Sequence, residues 1–143
     1  ASNLGFHVIS KYHGANLITI NETEMRHELR NKSEDRVSLI KTLSKKLRSN
    51  YTHVTSGEIG SIIYNSSTNE IISCPAFADK VIDKVGTGDS MLSILAISLY
   101  KKFDIKFSML LSALVAAENI KHMANKTSIN KANITRAAQS YLK

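Results

Sequence analysis

Gly86-Thr87-Gly88-Asp89 is the segment of this sequence best suited to chemistry. Two glycines around one residue allow a tight backbone turn, and an apolar stretch follows directly. The amide N–H groups of residues 86–89 should therefore face outward where a helix begins. Such a nest of donors suits an anion, and the helix dipole adds about 0.3–1 kcal/mol at an exposed site. A carboxylate at Asp89 could take a proton from a hydroxyl attacking a phosphoryl group, while the amides stabilise charge on the transferred oxygens. The plainer reading is that Asp89 caps a helix after a glycine-rich turn. Two further clusters carry the same ambiguity. Thr55-Ser56-Gly57-Glu58-Ile59-Gly60 places two glycines after a β-rich run, a pattern that any β-turn could carry. Asn21 and Glu24 lie three residues apart and share one face of an opening helix. They could jointly orient metal-bound water, or serve as a helix cap with an acidic first turn.

These clusters sit at junctions between alternating strands and helices. Residues 4–12 read as the end of a helix that Gly14 terminates, and 17–20 as a strand closed by Asn21. Residues 22–29 have helical composition, and Ser33 can cap a further helix through Arg48. A strand at 51–55 precedes the glycine-punctuated turn. Residues 61–64 and 70–74 are β-rich and joined by 65–69, as in a hairpin. A strand at 81–85 leads into the 86–88 turn, and Asp89 opens a helix to about Lys102. Helices at 108–124 and 131–142 complete the chain. The alternation argues for an α/β sheet covered by helices, with ligands where strand C-termini meet helix N-termini.

Composition narrows the function classes. With 143 residues, 43% hydrophobic and 22% charged, the sequence suits one soluble folding unit with a core. Its apolar runs at 91–99 and 109–117 are too short to span a bilayer. With no recognisable signal peptide, and with Cys74 alone unable to form an internal disulfide, a cytoplasmic setting is expected and Cys74 reads as a core residue. Lysine and arginine number 19 against 12 acidic residues, which favours an anionic partner. The basic residues are dispersed, however, and aromatics make up only 6%, so nucleic acid is not the expected partner. His7, His13, His27, His53 and His122 show no zinc-ligand spacing with Cys74, and His53 reads as structural.

Residues 83–89, Asp83-Lys84-Val85-Gly86-Thr87-Gly88-Asp89, resemble the C-terminal signature D-T-x-G-A-G-D of PfkB-type sugar kinases. The sequence keeps Asp83, Gly86, Gly88 and Asp89 and departs at Lys84 and Thr87. Thr55 to Gly60 is similar to the family's T-x-G-x-x-G segment, and Asn21-Glu22-Thr23-Glu24 to its N-x-x-E motif. The three follow the family's order. The resemblance implies a ribokinase-like three-layer α/β/α sandwich, of which residues 1–143 would be the C-terminal, nucleotide-binding and catalytic portion, without the N-terminal sugar-binding half.

It also implies roles. Asp89 would be the catalytic base and Gly86, Thr87 and Gly88 the anion hole. Thr55, Ser56, Gly57 and Gly60 would contact ATP, and Asn21 and Glu24 would serve Mg2+. Asp83 with the Val85 carbonyl would form a monovalent-cation (K+) site, and Asn119 falls near the adenine or belongs to a core helix. Residues 12–21, with Tyr12, Gly14 and Ala15 before the strand, resemble bacterial heptose-phosphate kinases, which points the substrate towards a sugar or sugar phosphate. The expected activity is ATP-dependent phosphorylation of a sugar hydroxyl. The alternative is a silent nucleotide-binding or regulatory module of a larger protein. Without the sugar-binding half this segment alone is expected to be inactive, and an isolated half-sheet would expose an edge and apolar surface, so poor solubility or homo-oligomerisation is expected.

Overall fold

The computed structural model describes residues 9–77, 86–120 and 131–141. The chain divides into two compact units, one formed by Ala1–Gly57 with Ser61–Ser73 and the other by Glu58–Gly60 with Cys74–Lys143.

The first unit is built on a sheet. Strands β1 (Leu17–Asn21), β2 (Tyr51–Thr55), β3 (Ser61–Asn65) and β4 (Glu70–Cys74) lie in that order. β1 and β2 pair in parallel, with Leu17 opposite Tyr51 and Asn21 opposite Thr55. β2 and β3 pair antiparallel, with Thr55 opposite Ser61. Parallel pairing requires a crossover, and helices α1 (Glu22–Leu29) and α2 (Arg36–Leu47) supply it. Leu39, Ile40, Leu43 and Leu47 recur at helical spacing on α2. They join Met25 of α1 and the alternating strand residues Ile18, Ile20, Val54 and Ile62 in one buried cluster.

The chain before β1 holds a short 3-10 turn at Ile9–Lys11, and Gly14 is left-handed with φ +72°. Residues 1–8, in the predicted helix, lie outside the described residues. Helix α2 begins after Asp35 rather than Ser33. Asp35 Oδ1 accepts from the amides of Val37 and Ser38, whereas the Ser33 amide is taken by Asn31 Oδ1 inside the preceding loop.

The second unit is helical: α3 (Thr87–Tyr100), α4 (Ile105–Ile120) and α5 (Lys131–Tyr141). α3 packs on α4, and α4 on α5. α4 starts three residues earlier than its apolar pattern suggests because Asp104 Oδ1 caps it, accepting from Lys106 and Phe107. α3 starts two residues before Asp89, with Gly86 as its cap, so both Thr87 and Gly88 are helical. Residues 81–85 and 121–130, which include a predicted strand and the end of the predicted helix 108–124, lie outside the described residues. Cys74 is buried as a core residue, and burial raises its thiol pKa.

His53 in β2 has no exposed surface. Its Nδ1 lies 3.4 Å from Thr19 Oγ1, and Nε2 has no partner among the described residues. Burial lowers its pKa from 6.5 to about 4. Because the folded pKa lies below the unfolded one, the unfolded chain takes up the proton first as pH falls. Stability present above pH 6.5 is then lost progressively down to about pH 4. A displacement of that size is on the order of 3 kcal/mol. Urea midpoints should fall between neutral pH and the lower end of that window, and His53→Leu should remove most of the dependence.

Candidate functional site

Parallel pairing sets the C-terminal ends of β1 and β2 side by side, so Asn21 and Thr55 are direct neighbours. Asn21 ends β1 and caps α1. Its Oδ1 accepts from the Glu24 amide at 2.8 Å, and Glu24 Oε2 accepts from the Asn21 amide at 3.5 Å. This reciprocal capping box orients both side chains at the helix start. Between them, Glu22 reaches across to the other strand. Its Oε2 accepts from Ser56 Oγ at 2.7 Å, and its Oε1 accepts from Arg26 Nη2 at 2.7 Å and Nε at 3.1 Å. Arg36 Nη1 donates to the same Ser56 Oγ at 2.9 Å. The Ser56 hydroxyl, working against desolvation, holds the Glu22 carboxyl below its ordinary pKa, with Arg26 and Arg36 adding to the effect. Gly57 follows at φ +58° with open space where a side chain would stand. The strand-end segment is thus tied at Ser56 and bare at Gly57.

In the second unit, Gly60 has φ +100°, and a Cβ there would come within 2.2 Å of the Cys74 carbonyl oxygen. Only glycine fits. Gly86, at φ +78°, caps α3 with no side-chain hydrogen bond. The first bond of the helix runs from the Ser90 amide to the Gly86 carbonyl, so the amides of Thr87, Gly88 and Asp89 precede the intrahelical ladder. Gly88 and Asp89 are exposed, and Asp89 stands in this first turn. Thr87 Oγ1 is buried without a hydrogen-bond partner among the described residues. Asn119 of α4 donates through Nδ2 to Ser90 Oγ at 2.8 Å, and Ser90 Oγ donates to the Gly86 carbonyl at 2.7 Å. Asn119 therefore braces the start of α3. Asp83 lies outside the described residues.

Asn21 and Glu24 offer hard oxygen donors, the type that holds magnesium through its waters. Among the described residues no group of three or more His, Cys, Asp or Glu could hold a metal directly.

A family model described as pfkB family carbohydrate kinase matches residues 7–135. The chain belongs to the pfkB family of carbohydrate kinases. This PfkB chain is 36% identical over 101 residues to the bifunctional protein HldE of Helicobacter pylori strain 26695, a match covering 68% of this chain and 21% of the relative. It is 32% identical over 99 residues to HldE of Campylobacter jejuni strain RM1221, covering 67% and 21%. The PfkB chain therefore spans about a fifth of the length of the curated relatives it matches.

Solved structures agree on the fold. Escherichia coli phosphofructokinase-2 in complex with potassium superposes with a TM-score of 0.78 at 12% identity, covering 94% of this chain and 43% of that one. Thermotoga maritima ribokinase gives 0.73 at 18%, covering 87% and 42%. A Burkholderia thailandensis nucleoside kinase in complex with inosine gives 0.70 at 23%, covering 88% and 40%. The expected ribokinase-like α/β fold is the fold of this PfkB chain.

Sequence reasoning missed the partners that hold the PfkB signatures: Glu22, Arg26, Arg36 and Ser90. Glu22 lies inside the Asn21–Glu24 motif, but its link to Ser56 spans 34 residues and leaves no periodic signal. The capping box yields a direct test. Asn21→Ala should lower unfolding stability by about 1 kcal/mol in urea titrations, and Asn21→Ser should recover most of it.

Proposed function

We propose that this chain is the nucleotide-binding and catalytic part of an ATP-dependent kinase that phosphorylates a hydroxyl of a sugar or sugar phosphate, with Asp89 as the base. The observation that carries the reading is an exposed carboxylate in the first turn of α3, beside helix-start amides that precede the hydrogen-bond ladder. Membership of the PfkB family supports it. In this reading, Asp89 accepts the proton of the acceptor hydroxyl as its oxygen bonds to the γ-phosphorus and the bond to the ADP oxygen breaks. The amides of Thr87 and Gly88, with Gly86 shaping the turn, stabilise charge on the transferred oxygens.

Thr55, Ser56, Gly57 and Gly60 contact the nucleotide. Asn119 supports the start of α3 through Ser90 and falls near the adenine. Asn21 and Glu24 would hold magnesium, and Asp83 with the Val85 carbonyl would bind K+. Magnesium, when bound, neutralises phosphate charge and orients the leaving group. The resemblance of residues 12–21 to bacterial heptose-phosphate kinases supports a heptose phosphate as the acceptor class.

Turnover of ATP against a panel of sugars and sugar phosphates tests the assignment in the intact protein. Asp89→Asn should lower turnover at least about 100-fold with ATP affinity retained. A protein that binds ATP but phosphorylates nothing, with or without the substitution, would instead be a silent nucleotide-binding module.

A further inference from the structure

Arg36 is the first residue of α2, where its positive charge faces the positive end of the helix dipole. The capping Asp35 carboxylate offsets part of this charge, but its oxygens are bound to the Val37 and Ser38 amides and to Ser38 Oγ rather than to Arg36. A cation at that position is unfavourable for the helix, so its reason must lie where the side chain goes. It crosses to Ser56, twenty residues on, between Thr55 and Gly57.

The two arginines of this network differ in how their donors are used. Arg26 holds Glu22 through Nε and Nη2, and its Nη1 donates to the carbonyls of Lys32 and Glu34. Arg26 is a strut. Arg36, half-buried, has one hydrogen bond among the described residues, to a neutral hydroxyl, and forms no ion pair there. A guanidinium carries five donors in a fixed fork that matches the oxygens of a phosphate. Ser56 cannot complete that fork, because a single hydroxyl oxygen meets only part of its five donors. Glu22 is already paired with Arg26, so Arg36 is the surplus positive charge of the network. Beside it, Gly57 leaves open space.

We propose that Arg36 is a phosphate-contacting residue of the nucleotide site, aimed by Ser56 and Glu22 so that the unused part of its fork meets the polyphosphate. The inference rests on the nucleotide reading of the strand ends and adds a residue that none of the three signatures contains.

Arg36→Gln separates a phosphate contact from a strut, because a glutamine amide can still donate to Ser56 Oγ while carrying no charge. Calorimetric titration of the intact protein with ATP and with adenosine reads the difference, and circular dichroism checks the fold. Arg36→Gln should weaken ATP about ten-fold or more and leave adenosine affinity unchanged. Arg36→Lys, which keeps charge without the fork, should fall between Gln and wild type. Equal weakening of ATP and adenosine, or no weakening of ATP, overturns the role of Arg36 while the nucleotide site stands. A wild-type protein that binds no ATP overturns the nucleotide reading itself, and the role of Arg36 with it.

Discussion

Parallel pairing of β1 with β2 is the constraint on which the first unit turns. Two strands running the same way must end on the same side, and the register that sets Asn21 against Thr55 makes those ends neighbours. A slip of one residue would send Ile18, Ile20 and Val54 away from α2, so the buried cluster that holds the helices also fixes the register. The polar groups at the ends inherit that precision. Glu22 and Ser56 meet at 2.7 Å because the core beneath them allows no other pairing.

The second unit reaches a comparable end by other means. There a left-handed glycine turns the chain into α3, and the helix start is braced by Ser90 against the Gly86 carbonyl and by Asn119 against Ser90. Asp89 stays exposed because neighbouring side chains, rather than Asp89 itself, carry that bracing. In the plainer reading Asp89 would spend its carboxylate as a cap, yet the cap position is held by Gly86. The contrast with Asn21 is instructive, since Asn21 does spend its side chain on a cap.

Much of this was legible in the sequence, for physical reasons. Tyr51–Thr55 and Glu22–Leu29 are short elements with strong composition and clear stops, and both appear where their pattern puts them. The start of α3 was misjudged because glycine reads as a breaker, although the first turn of a helix tolerates it where the amides have no intrahelical partner anyway. Ser33 and Asp35 are both good caps on paper. The choice between them is made by Asn31, which captures the Ser33 and Glu34 amides, and by Arg26, which holds the Lys32 and Glu34 carbonyls. Three motif spacings could suggest the candidate site, whereas the Arg36–Ser56, Asn119–Ser90 and Glu22–Ser56 links around it join residues 20 to 34 positions apart, which no local pattern encodes.

The proposed function assigns nucleotide contact to the strand ends of the first unit and phosphoryl chemistry to the start of α3 in the second. Hydrogen exchange of the intact protein, followed with and without ATP and magnesium, tests it most directly. The account predicts slowed exchange at residues 21–25, 55–58 and 86–90, with little change at the C-terminal end of α1. Protection confined to the groove lined by Ser10, His27, Arg30 and Lys46 would contradict it.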